Sequence, residues 1–97
     1  MYPKSIDIAQ DDITPSADPF YYLAKAQVAI KEDNLHLVLE NLVMAHSIVP
    51  DEIDILAAIA EVQVKLEHWK QMLPILDLLI NLQPDELSWR INRLAAL

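Results

Sequence analysis

The triplet Pro50-Asp51-Glu52 recurs as Pro84-Asp85-Glu86, at an offset of 34 in the numbering. At that offset Ala24, Ala26, Val28, Lys31, Leu39 and Leu42 match Ala58, Ala60, Val62, Lys65, Leu73 and Leu76. Nine of 34 positions are thus identical, where roughly two to three would coincide at ordinary composition. Ile30/Val64, Val38/Met72 and Ile48/Leu82 are similar pairs at the same offset. Proline cannot continue a helix, and Asp or Glu just after it suits the start of the next one. The repeat therefore fixes where helices stop and start.

Composition says what fills the space between those stops. The 97 residues are 54% apolar and 23% charged, with no Gly, no Cys and a single Thr, Thr14. That apolar fraction is ample for a core. Val and Ile almost without Thr, beside many Leu, Ala, Glu and Lys, favour helix over strand. Asp18 is a favoured N-cap and Pro19 a favoured first helical residue, so order is predicted to begin there. Asp33-Asn34 and Glu67-His68 break the pattern within each repeat, because short polar side chains compete for backbone hydrogen bonds. The reading is five helices: from Pro19, from about Leu35 to Ile48, from about Ile53 to Leu66, from there to about Leu82, and from Glu86 onward. Residues 1–17, with Pro3, Pro15 and three Asp, read as a flexible acidic arm whose Ile6, Ile8 and Ile13 could dock on an apolar surface. Residues 18–97 form the helical domain, in units of about 19–52 and 53–86 plus a terminal helix over 86–97.

A helix–turn–helix unit of about 34 residues resembles the tetratricopeptide repeat family. The positions that carry the resemblance are Tyr22, Ala26, Leu35, Val38, Leu42, Ala45 and Pro50 in the first unit. In the second they are Leu56, Ala60, Trp69, Met72, Leu76, Leu79 and Pro84. The resemblance implies an all-α fold of antiparallel helical hairpins stacked as a short right-handed solenoid. The chain departs from the family pattern at the turns, where Asp33 and Glu67 stand in place of the usual Gly. It departs again in the second helices, where Val38, Met72 and Leu79 replace small residues. Pro74 must lie near a helix start, at about Lys70, or kink the helix.

The absence of Gly excludes the dinucleotide loop, the phosphate loop and the nucleophile elbow, all of which need backbone without Cβ. The absence of Cys excludes disulfides, thiolate nucleophiles and Cys-type zinc sites. His36 and Glu40 share a helix face, which is half a metal site, and no second pair at helical spacing completes it. Asp51/Asp54 and Asp85/Glu86 fall at helix starts, where capping accounts for them. Neither catalysis nor a metal or cofactor is expected. The net charge of −8 is spread along the chain and no segment is basic, so neither nucleic acid nor membrane is an expected partner. Without a targeting segment or a long apolar run, the expected location is cytoplasmic.

In repeats of this kind the first helix of each unit lines a concave groove. That face would carry Phe20, Leu23, Gln27, Ile30 and Lys31, then Asp54, Ala57, Glu61, Val64 and Lys65, then Ser88 and Ile91. Tyr22, Ala26 and Ala29 already supply the packing face of the first helix, so an apolar strip is left over. The expected function is a non-catalytic protein-interaction module, with a partner's amphipathic or extended segment in the groove at Phe20, Leu23, Gln27, Ile30, Ala57, Glu61, Val64 and Ile91. The size and architecture are similar to the tetratricopeptide-type chaperones of bacterial secretion systems. The terminal helix carries Leu87, Trp89, Leu94 and Leu97, a dimer or stacking surface. A homodimer whose apolar faces serve only itself is the alternative, and the arm filling the groove is another.

Overall fold

The structure, a computed structural model, describes residues 17–97. The arm expected over residues 1–17, with Ile6, Ile8 and Ile13, lies outside the described residues apart from Ala17. The fold is all-α: helices α1 (Pro19–Lys31), α2 (Leu35–Ile48), α3 (Ile53–Lys65), α4 (Trp69–Leu82) and α5 (Leu87–Ala96) form successive hairpins, with no strand among the described residues. Both limits of α1 recur one repeat later as those of α3, and both limits of α2 recur as those of α4. Helix α5 begins at the repeat equivalent of the first residue of α3. Each helix makes close backbone contact only with its sequence neighbours.

The turns repeat with the helices. After α1 the Asp33 N–H donates to the Ile30 carbonyl and the Asn34 N–H to the Ala29 carbonyl, both at 3.0 Å. After α3 the Glu67 N–H donates to Val64 at 3.0 Å and the His68 N–H to Gln63 at 2.9 Å. Each is a Schellman ending, which satisfies carbonyls that a helix end leaves free and requires one left-handed residue. That residue is Asp33 in the first case, φ 57°, and Glu67 in the second, φ 60°. Glycine would adopt this geometry freely; an L-residue is strained there because Cβ crowds the following carbonyl.

Capping follows expectation at some helix starts and departs from it at others. The Asp18 carboxylate accepts from the Phe20 N–H at 3.0 Å, with Pro19 at the first helical position. The Asn34 side chain accepts from the Leu37 N–H at 3.2 Å. The N-caps of α3 and α5 are Glu52 and Glu86, and neither side chain makes a capping bond. Glu86 instead accepts from the Ser88 hydroxyl at 2.9 Å. The acidic residues after each proline therefore act through charge near the helix N-terminus, as Asp54 does in the first turn of α3, rather than as hydrogen-bonding caps. Helix α4 begins at Trp69, one residue before the expected start, so Pro74 is its sixth residue. The Lys70 carbonyl consequently lacks its i+4 donor.

Burial obeys the same register. Tyr22, Ala26, Ala29, Val38, Leu42 and Ala45 are buried, and so are their repeat equivalents Leu56, Ala60, Gln63, Met72, Leu76 and Leu79. Helix α3 is the centre of the stack. Its Ile55, Ile59 and Val62 join the α1–α2 core, while Leu56 and Ala60 pack with Met72, Leu76 and Leu79 of α4. Leu56 and Ile59 are fully enclosed, each stabilising by about 1.5–3 kcal/mol. Val38, Met72 and Leu79 fit between helices at positions where the family pattern carries smaller residues. Helix α5 contributes no buried residue and rests on α4 through Trp89 and Ala96.

Candidate functional site

Two clefts open on the side of the stack formed by the odd-numbered helices. The first, of about 450 Å³, lies between α1 and α3 over a floor from α2. Helix α1 supplies Leu23, Ala26, Gln27 and Ile30; α2 supplies Leu35, Val38 and Leu42; α3 supplies Asp54, Ile55, Ala58, Glu61, Val62 and Lys65. Asp33, the left-handed turn residue, also lines it. The second cleft, of about 380 Å³, lies between α3 and α5, lined by Ala57, Ala60, Glu61, Val64, Lys65, Met72, Trp89 and Asn92. All of these except Lys65 are repeat equivalents of residues that line the first cleft. The two are one feature repeated, separated by a ridge on which Glu61 and Lys65 face both.

Of the expected groove residues, Leu23, Gln27, Ile30 and Glu61 line the first cleft and Ala57, Glu61 and Val64 the second. Phe20, 74% exposed, and Ile91, 64% exposed, line neither. Of the terminal-helix residues, Leu87, Leu94 and Leu97 are exposed. Trp89 turns inward, where its indole N–H donates to the Gln83 side-chain oxygen at 2.8 Å and its ring packs on the second core. In the sequence Asp33 reads as a helix breaker in the place of the usual turn Gly, not as a cleft residue. The left-handed turn is signalled by Asp33 standing where the family pattern has Gly, but its place in the cleft lining is not.

The cleft electrostatics are one-sided. Asp33, Asp54 and Glu61 face a single lining cation, Lys65. Among the described residues the one salt bridge is Arg93 to Asp77, at 2.7 Å on the far side of α4 and α5, so the three cleft carboxylates have no ionic partner. No cluster of three or more His, Cys, Asp or Glu that could hold a metal exists among the described residues. The His36 ring approaches His68, with centroids 6.1 Å apart, outside both clefts. No helix among the described residues is long and apolar enough to cross a membrane. No family model matches the chain, and no curated protein or solved structure matches it either.

Proposed function

We propose that this chain is a cytoplasmic, non-catalytic interaction module of tetratricopeptide-like architecture. It holds a segment of a partner protein in the groove formed by the two clefts and shields that segment in a chaperone-like way. The observation that carries the reading is the repetition of the cleft itself. The same apolar concavity, open to solvent and unfilled by side chains, follows the repeat register from α1–α3 to α3–α5. A cavity left by poor packing would have no reason to recur. Ile30 and Val64, 56% and 43% accessible at equivalent positions in the two linings, leave each cleft with an exposed apolar wall.

The test is the double substitution Leu23→Glu with Ile30→Glu, followed by affinity capture from the source cell. Capture of the wild-type partner should be lost while far-UV circular dichroism is unchanged. Retained capture refutes the groove. A second reading, self-association through α5, is favoured by the 64–74% exposure of Leu87, Ile91, Leu94 and Leu97. Sedimentation velocity separates the two: a stable dimer that Leu94→Glu dissociates, with the groove buried in it, would support a structural role instead.

A further inference from the structure

We infer that the groove selects a basic amphipathic helix, a partner chemistry that rests on the groove reading above and narrows it. The sign of the charge comes first. An apolar cleft lined by Asp33, Asp54 and Glu61, with only Lys65 against them and no ion pair to any of the three among the described residues, repels an acidic segment and attracts a cationic one. The whole chain, at −8, adds to that field. The same argument disfavours the chain's own residues 1–16 as occupant, since they carry Asp7, Asp11 and Asp12 against Lys4 alone.

The spacing of the charges then distinguishes helix from extended segment. Asp54 and Glu61 stand at i and i+7 on α3, two turns on one face, hence about 10.5 Å along the cleft. A helix lying along α3 presents cations at that interval from positions i and i+7, both on one face, with its apolar stripe between them. An extended segment covers the same length in about three residues. An odd count puts the two side chains on opposite faces of a strand, so one of them would leave the cleft. The partner is therefore a helix with Lys or Arg at i and i+7 flanking apolar residues at i+3 and i+4. The apolar residues enter between Leu23, Ile30 and Ala58.

The experiment uses the full chain and three labelled Ala-rich peptides of about 16 residues, long enough to be partly helical. All carry Leu at i+3 and i+4. The first has Lys at i and i+7, the second has the same Lys at i and i+5, and the third has Glu at i and i+7. Fluorescence anisotropy should show the first binding about tenfold tighter than the other two. The advantage should shrink between low salt and about 0.5 M, because the carboxylates are exposed. Asp54→Asn with Glu61→Gln should abolish it without loss of helicity. Equal binding of the two Lys peptides overturns the inference, as does an advantage that survives the double substitution, or no binding by any peptide. If the Lys and Glu peptides bind alike and Leu23→Glu with Ile30→Glu releases both, the charge selection fails and the groove stands. If binding persists in that variant, the groove itself fails.

Discussion

Replacing Glu67 by Gly should stabilise this protein, although a glycine inside a helix ordinarily weakens it. Glu67 has φ 60°, where an L-residue is strained by about 1–2 kcal/mol. Its side chain is exposed and makes no hydrogen bond, so nothing local offsets that strain. Gly removes the strain but makes the unfolded chain more flexible, at a cost of about 0.5–1 kcal/mol. The net expectation for Glu67→Gly is a gain of about 0.5–1 kcal/mol. Asp33→Gly should gain less, because Asp tolerates the left-handed region better. Together they should add about 1 kcal/mol, which for a domain of this size raises Tm by about 4–8 °C. Glu32→Gly is the control. It lies one residue before the turn with φ −87°, where Gly relieves no strain and should cost about 0.5–1 kcal/mol. Thermal melts followed by circular dichroism, with urea titration for ΔG, decide the matter. If Glu67→Gly lowers Tm as Glu32→Gly does, the strain argument is wrong.

Pro74→Ala should raise stability by about 2–3 kcal/mol in urea titration, because the sixth residue of α4 would regain an N–H for the Lys70 carbonyl and lose a ring clash. Ala60→Glu and Leu94→Glu alter positions one repeat apart, 5% and 72% exposed. The first should cost more than about 3 kcal/mol by enclosing a charge, while the second should leave the monomer's Tm within about 2 °C. Arg93→Ala removes the Asp77 ion pair, whose side chains are 38% and 55% exposed. Screening by solvent should hold the loss to about 0.5 kcal/mol or less, and salt should diminish it further.

The helix boundaries are legible in the sequence because the signals that set them are local. Proline, a polar break and a capping residue act within one turn, so Pro50, Asn34 and Asp18 can be read without knowing what packs on what. The core is legible for a related reason: the repeat match selects positions that face a neighbour, and Ala26/Ala60 and Leu42/Leu76 are buried as pairs. What stays hidden depends on reach and direction. Glu52 and Glu86 occupy capping positions, yet their side chains make no bond to the helix N-terminus; the pattern fixes the position but not the bond. Trp89 belongs by sequence to an apolar terminal stripe, but one hydrogen bond to Gln83 anchors it inward. The cleft floor is invisible in the pattern because it comes from α2, whose Leu35, Val38 and Leu42 read simply as core.

Helix α5 shows how register decides the use of a surface that composition leaves ambiguous. Its Arg90 stands where Tyr22 and Leu56 stand in the two preceding first helices, 6% and 0% exposed. Here the guanidinium reaches the Pro84 carbonyl at 3.3 Å. An Arg in the middle of that face would be left as an uncompensated charge under a covering helix packed as α4 packs on α3, which is costly. The exposed apolar residues lie elsewhere. Leu87, Ile91 and Leu94 form an i, i+4, i+7 stripe, and Ile91 is the repeat equivalent of Leu23 and Ala57, which line the clefts. By register only Ile91 belongs to the cleft-lining set: Leu94 stands where Ala26 and Ala60 are buried, 3% and 5% exposed, and Leu87 where Ile53 packs on the α3–α4 core. A segment bound across the clefts would meet Ile91 next, beyond Trp89 and Asn92. The apolar surface of α5 thus has two parts: Ile91 continues the register of the cleft-lining residues, while Leu87 and Leu94 occupy positions that α4 covers in the preceding repeat.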